Sequence, residues 1–248
     1  MMNSAGGVAL IGALGGAALA LAIMFGTAAL GIFPSNSDAR IHDYLLSHPQ
    51  VLVEVSNKLE AQQNSKEHES RQNAVVKLGL KPFFNPRLAF ITGPQSARTT
   101  FIEFFDYNCP YCRASVPAVK KFMAAHKGDA RFAFIEFPIK GPQSTIASRA
   151  AIAARNQPDK YLAFHFLLMG EKELVTEDVV FADAANAGLD VNRLKADMQD
   201  RSVGAAIAAA RSLAVAAKVD GTPAFIINGR MHEGALDEDT LSELLKAS

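Results

Sequence analysis

Only two cysteines occur among the 248 residues, and they sit two positions apart as Cys109-Pro-Tyr-Cys112. A disulfide between them closes so small a loop that it removes little entropy from the unfolded chain, which makes it a poor structural brace. The pair is therefore read as reactive. Zinc is the main competing use of a C-x-x-C, but a structural site wants four ligands, usually from a second Cys or His pair. The body offers only His126, His165 and His232, with no ligand spacing among them, so no metal or other cofactor is expected. The flanks of the pair constrain the fold further. Thr99 to Tyr107 (TTFIEFFDY) is a β-branched and aromatic run suited to a buried strand. Cys112 to His126 then sets Val116, Val119, Phe122 and Met123 on one helical face. The cysteines thus fall where a strand runs into a helix.

A second buried strand is predicted over Ala130 to Ile139, and strand, helix, strand at this length is a βαβ unit with parallel strands. Leu88 to Ile91 is a shorter apolar run ahead of it. From Gln143 to Lys218 the pattern is helical and alanine-rich, broken at Pro158, Gly170 and Gly188, and too long for a crossover. Strand character returns at Pro223 to Asn228, followed by a turn at Gly229-Arg230, a short strand at Met231 to Glu233 and an amphipathic helix over Leu236 to Leu245. The expected fold class is α/β: a thioredoxin-like core over 81–248 with a helical subdomain inserted at about 143–218. A 49% hydrophobic chain is ample for one such core. With Lys+Arg 25 against Asp+Glu 25, nothing resembles the basic footprint of a nucleic-acid binder, and no nucleic-acid partner is expected.

Two segments precede that core. Residues 1–34 carry no charged side chain, and Val8 to Phe33 is apolar or small throughout. At about 1.5 Å per residue that stretch makes a helix of roughly 39 Å, enough to span a bilayer core of about 30 Å with some tilt. It is longer than the apolar part of a signal peptide and lacks a basic start, so an uncleaved anchor is expected; the small residues Gly26-Thr27-Ala28-Ala29 leave cleavage open. The body is placed outside the cytoplasm, where disulfides persist. Residues 35–80 are polar and helical in pattern, with Ile41, Leu45, Leu46 and then Leu52, Val55, Leu59 at three-to-four spacing and a break at His48-Pro49. This segment is either a solvated spacer or an oligomerisation stalk in which the apolar stripes meet their copies.

Four further features belong to the chemistry. The start of a helix favours a thiolate, which suits Cys109 as nucleophile, while Cys112, one turn further in, suits a less exposed resolving partner. Glu103 stands among Phe101, Ile102, Phe104 and Phe105. A carboxyl buried there has a raised pKa and is suited to take the proton that Cys112 must lose; the alternative is an ion pair with a lysine of the following helix. Thr222 and Pro223 open the returning strand and, in this order of elements, face the helix start that carries Cys109. A cis bond there would offer the backbone at Thr222 to a substrate strand.

FIEFFDYNCPYC, then the alanine-rich helical region, then GTPAFIINGR resembles the DsbA-like thiol oxidoreductases of bacterial envelopes. The resemblance covers roughly Pro82 to Ser248. It implies that Glu103 is the family's buried acid, Cys109 and Cys112 its nucleophilic and resolving pair, and Thr222-Pro223 its cis-proline loop. The N-terminal helical part with its His48-Pro49 break is similar to that of the ScsC-type branch, which includes trimeric disulfide isomerases. Where the strongly oxidising archetype has His before the second cysteine and Val before the cis-proline, this chain has Tyr111 and Thr222. A neutral tyrosine stabilises a thiolate less, so a less oxidising pair is expected. The resemblance thus implies an envelope disulfide isomerase or reductase. Its partners would be unfolded or misoxidised secreted proteins and a membrane redox partner, and it would be a homo-oligomer, by resemblance a trimer, held to the membrane through residues 8–33. A dithiol oxidase, a holdase with incidental thiols, and a Cu(I)-binding protein are the rivals.

Overall fold

A computed structural model describes residues 37–246. The apolar stretch expected to anchor the chain, residues 8–33, lies outside the described residues. Among the described residues no helix is long and apolar enough to cross a membrane. The chain divides between Gln63 and Asn64 into two compact units.

Within the first unit, helix α1 (Ser37–Ser47) ends at the predicted His48-Pro49 break, and α2 (Gln50–Leu78) starts one residue after the proline. Pro49 lacks the N–H that an interior helical position would need, so the two helices part here. Ile41, Leu46, Leu52, Val55 and Leu59 are all more than half exposed.

The second unit begins inside α2, at Asn64. Gln72 donates from Nε2 to the Gly229 carbonyl (2.8 Å) and accepts from the Met231 N–H (3.0 Å), and Val75 is buried. Polar residues that looked solvated in the sequence therefore belong to the core unit.

A five-stranded sheet forms the centre, in the order β1 (Ala89–Thr92), β3 (Ala130–Glu136), β2 (Thr99–Phe105), β4 (Ala224–Ile227), β5 (Arg230–Glu233). β2 and β3 are parallel around α3 (Pro110–Ala125), as the βαβ reading requires; the other pairs are antiparallel. Both faces are covered, so the central strands are apolar on both sides. Alternation along β2 sends Phe101 and Phe105 to one face and Ile102 and Phe104 to the other. The first face packs against α3 and the inserted helices α4 (Pro142–Ala154), α5 (Pro158–Gly170), α6 (Glu177–Asn186) and α7 (Val191–Asp197). The second packs against Val75, Phe83 and the end of α8 (Arg201–Ala217). The helix α9 (Glu238–Lys246) closes the chain.

Candidate active site

Glu103 shares the β2 face of Phe101 and Phe105, and its direct neighbours across the sheet are Phe134 on β3 and Phe225 on β4. Both flanking rings exclude water, and burial pushes the carboxyl up to about 8. The ion pair considered from the sequence does not form: Lys121 pairs with Glu238 and Lys120 lies over the Phe166 ring. Among the described residues the acid is thus a proton-binding group without a neutralising cation.

Beyond β2 the chain turns through Asp106-Tyr107-Asn108 into Cys109, which caps α3. Asp106 fixes the turn. Its Oδ1 accepts from the Asn108 N–H (2.8 Å), an Asx turn, and its Oδ2 accepts from the N–H groups of Ile139 (2.7 Å) and Lys140 (2.8 Å) beyond β3. Asn108 in turn accepts from the Val175 N–H (2.8 Å), tying the turn to the inserted helices. Neither residue was singled out in the sequence, although Asp-x-Asn before a helix is turn chemistry and was the available signal.

Cys109 adopts extended backbone at the N-cap (φ −88°, ψ 117°), with Pro110 at the first helical position, where a missing N–H costs nothing. Its thiol donates to the carbonyl of Thr222 at 3.1 Å, and the Thr222–Pro223 bond is cis. Of the five predicted site residues, Cys109 thus meets Thr222 directly across the gap between α3 and the loop before β4, with Cys112 bonded to Cys109 and Pro223 next to Thr222. Glu103 lies beneath, near enough for its charge to act on Cys112.

Accessibility does not rank the two thiols as expected, since Cys109 is 0% and Cys112 1% exposed. Electrostatics ranks them instead. Hydrogen bonding from the Cys112 thiol, then from the Thr222 side chain and the backbone N–H groups of Cys112 and Tyr111, outweighs burial and pulls Cys109 down to about 5. That value lies inside the range of about 3.5 to 7.5 found for cysteines at helix starts and in C-x-x-C motifs. Cys112 is pushed far up, first by burial, then by its bond to Cys109 and by the Glu103 charge. One thiolate and one thiol therefore coexist near neutral pH. Tyr111, between them, is 63% exposed.

A buried polar cluster beside this site was not foreseen. The Tyr107 hydroxyl bonds His165 Nδ1 at 3.1 Å, and Tyr161 donates to Glu136 Oε1 at 2.8 Å, where Glu136 also pairs with Arg155. Burial holds His165 down to about 3, so it is a neutral core residue. In the sequence it was one scattered histidine.

A family model described as Thioredoxin matches residues 88–247, and one described as the copper resistance protein ScsC N-terminal domain matches residues 38–66. A thioredoxin-like oxidoreductase from Silicibacter pomeroyi DSS-3 is 36% identical with a TM-score of 0.62, covering 68% of this chain and 95% of that one. ScsC from Proteus mirabilis, in a transitional conformation, is 26% identical with a TM-score of 0.63, covering 85% and 94%. The curated relatives include a Na(+)/H(+) antiporter NhaA from Herminiimonas arsenicoxydans, 30% identical over 177 residues, which are 71% of this chain and 28% of the antiporter. The chain thus spans little more than a quarter of that relative's length.

Proposed function

This chain belongs to the thioredoxin family, and on that premise we propose that it is a thiol–disulfide oxidoreductase of the bacterial envelope acting on secreted proteins as an isomerase or reductase. The observation that carries the reading is the split between the two thiols: Cys109 ionised near pH 5, Cys112 held protonated, and a proton-accepting carboxyl beneath them.

The steps follow from that split. The Cys109 thiolate attacks one sulfur of a client disulfide, forming a mixed disulfide and expelling the client's other sulfur as thiolate. In isomerisation that client thiolate attacks another client disulfide, and a client thiolate so released displaces Cys109, which leaves unchanged. In reduction Cys112 gives its proton to ionised Glu103 and attacks the Cys109 sulfur. The second client thiolate leaves, and Cys109 and Cys112 end as a disulfide. An acid with a pKa near 8 is suited to this, because it exchanges a proton close to working pH.

Direction rests on Tyr111: a neutral side chain there stabilises the thiolate less than the His of the strongly oxidising archetype, so the pair is a weaker oxidant. The apolar stripe of α1 and α2 supports oligomerisation, the apolar run of residues 8–33 supports anchoring, and the redox pair supports a body outside the cytoplasm, where disulfides persist. The test is reactivation of scrambled ribonuclease in glutathione buffer by the chain begun at Ser37. Reactivation abolished by Cys109→Ser supports the proposal. Oxidation of reduced peptides without any reactivation would transfer the chain to the oxidases, as would a pair found fully oxidised in cells.

A further inference from the structure

Thr222, which accepts from the Cys109 thiol, is carried by a short link between the end of α8 and β4, and that link is held from outside by the second half of α2. The Arg71 guanidinium donates from Nε to the carbonyl of Lys218 (3.2 Å) and from one terminal nitrogen to Asp220 Oδ2 (2.6 Å). Its other terminal nitrogen lies 2.8 Å from Glu233 Oε2 on β5 and 3.7 Å from Glu67, one turn back on α2. Lys218 returns the contact through Ser70. A planar guanidinium can engage one carbonyl and two carboxylates at fixed angles, which an ammonium cannot. Arg71 is 18% exposed, so these bonds are partly shielded from solvent.

The geometry brackets Thr222. Arg71 grips the two residues Lys218 and Asp220 ahead of it and Glu233 behind it, while the Gly234 N–H donates to the Pro223 carbonyl at 3.0 Å. We propose that Arg71 is a positioning residue for thiol exchange, setting the Thr222 backbone against Cys109 and against the client strand that docks there. The inference rests on the thiol-exchange reading above. Arg71 touches neither sulfur; it acts through the Lys218–Thr222 link. A loosened link misplaces Thr222 when the client binds and shifts its side chain, whose hydroxyl favours the Cys109 thiolate.

The test uses the full chain in detergent, with three readouts: KM and kcat for reduction of a disulfide-bridged peptide, the Cys109 thiolate absorbance against pH, and the melting midpoint. Arg71→Gln removes the fork, while Gln72 and Val75 continue to hold α2. Asp220→Asn is the second variant, safe for folding because that side chain is 72% exposed. Each is expected to raise KM on the order of tenfold with kcat within about twofold, and to move the Cys109 titration upward; combined, they should raise KM by less than the product. Val75→Ala, a cavity on the same helix without a loop contact, should lower the melting midpoint and leave KM alone. The same KM rise in Val75→Ala, or an unmoved KM and an unmoved titration in Arg71→Gln and Asp220→Asn, overturns the proposal. Should the unaltered chain fail to reduce the peptide, the thiol-exchange reading falls, and the Cys109 titration alone then decides the role of Arg71.

Discussion

At the scale of single residues, Glu103 and the two cysteines hold their protons with very different strengths, and each can be tested separately. Cys109, pulled down to about 5, should alkylate with half its limiting rate near that pH, while Cys112 reacts only after unfolding. Cys112→Ser should then accumulate mixed disulfides with clients, seen on non-reducing gels; first reaction at Cys112 would reverse the roles. Glu103 is displaced upward, from 4.5 to about 8. The folded chain therefore binds a proton that the unfolded chain releases, and stability falls as pH rises through that window. Glu103→Gln removes the loss, so its melting midpoint should exceed that of the unaltered chain at pH 8 and converge with it near pH 4. The gain at pH 8 is a few kcal/mol, at about 1.4 kcal/mol per pH unit of displacement. Taking the difference between variant and parent cancels the opposing contribution of Cys109. The same substitution should slow resolution of mixed disulfides by Cys112, with the largest effect between pH 7 and 8. These three residues were legible because chemistry marks them: an only pair of cysteines, and a lone acid in an apolar strand. Arg71 and His165 were not, since an arginine in a polar helix and a single histidine acquire meaning only from what they face.

At the scale of elements, the strands and the βαβ unit could be read because their apolar residues are contiguous and bounded by turns. The end of α2 could not. Its anchoring contacts are made by Ser70, Arg71 and Gln72 to backbone groups and carboxylates, and polar docking leaves no apolar stripe to detect. The turn into α3 is a similar case. Asp106 is fully buried and accepts three backbone N–H bonds from two separate loops. Asp106→Ala leaves those donors without a partner, at a cost of about 3 kcal/mol, since each buried donor left unsatisfied costs about 1–3 kcal/mol and part of the loss is recovered from water. Thermal unfolding should show this loss. The variant should also retain the Cys109–Thr222 contact less well, so its Cys109 thiolate absorbance should appear at higher pH than in Asn108→Ala, which loosens only the tie to Val175.

At the scale of the whole molecule, the exposed apolar residues of α1 and α2 bear on assembly. Ile41, Leu46, Leu52, Val55 and Leu59 leave in water side chains that each gain about 1.5–3 kcal/mol on full burial, a waste in a monomer and a seam in an oligomer. Their spacing was readable in the sequence; their partner was not, because a stripe repeated in every copy looks the same whether it meets solvent or itself. Where the stripe ends also decides how it must be tested. A chain cut at Pro82 would lose Arg71, Gln72 and Val75 from the second unit, and any defect would then be ambiguous. The cut belongs at Asn64. Light scattering of the chain begun at Ser37 should give a multiple of the monomer mass, and Leu52→Ser with Val55→Ser and Leu59→Ser should return it to monomer without touching the thiol site. An isomerase gains from several sites around one misbridged client, because a second attack then occurs at the high effective concentration of a tethered partner. The triple variant should therefore reactivate scrambled ribonuclease on the order of tenfold more slowly, while reducing a short disulfide peptide as fast as its parent. Equal reactivation by both would leave the stripe as a spacer, and a monomeric parent would remove the oligomer from the account of direction altogether.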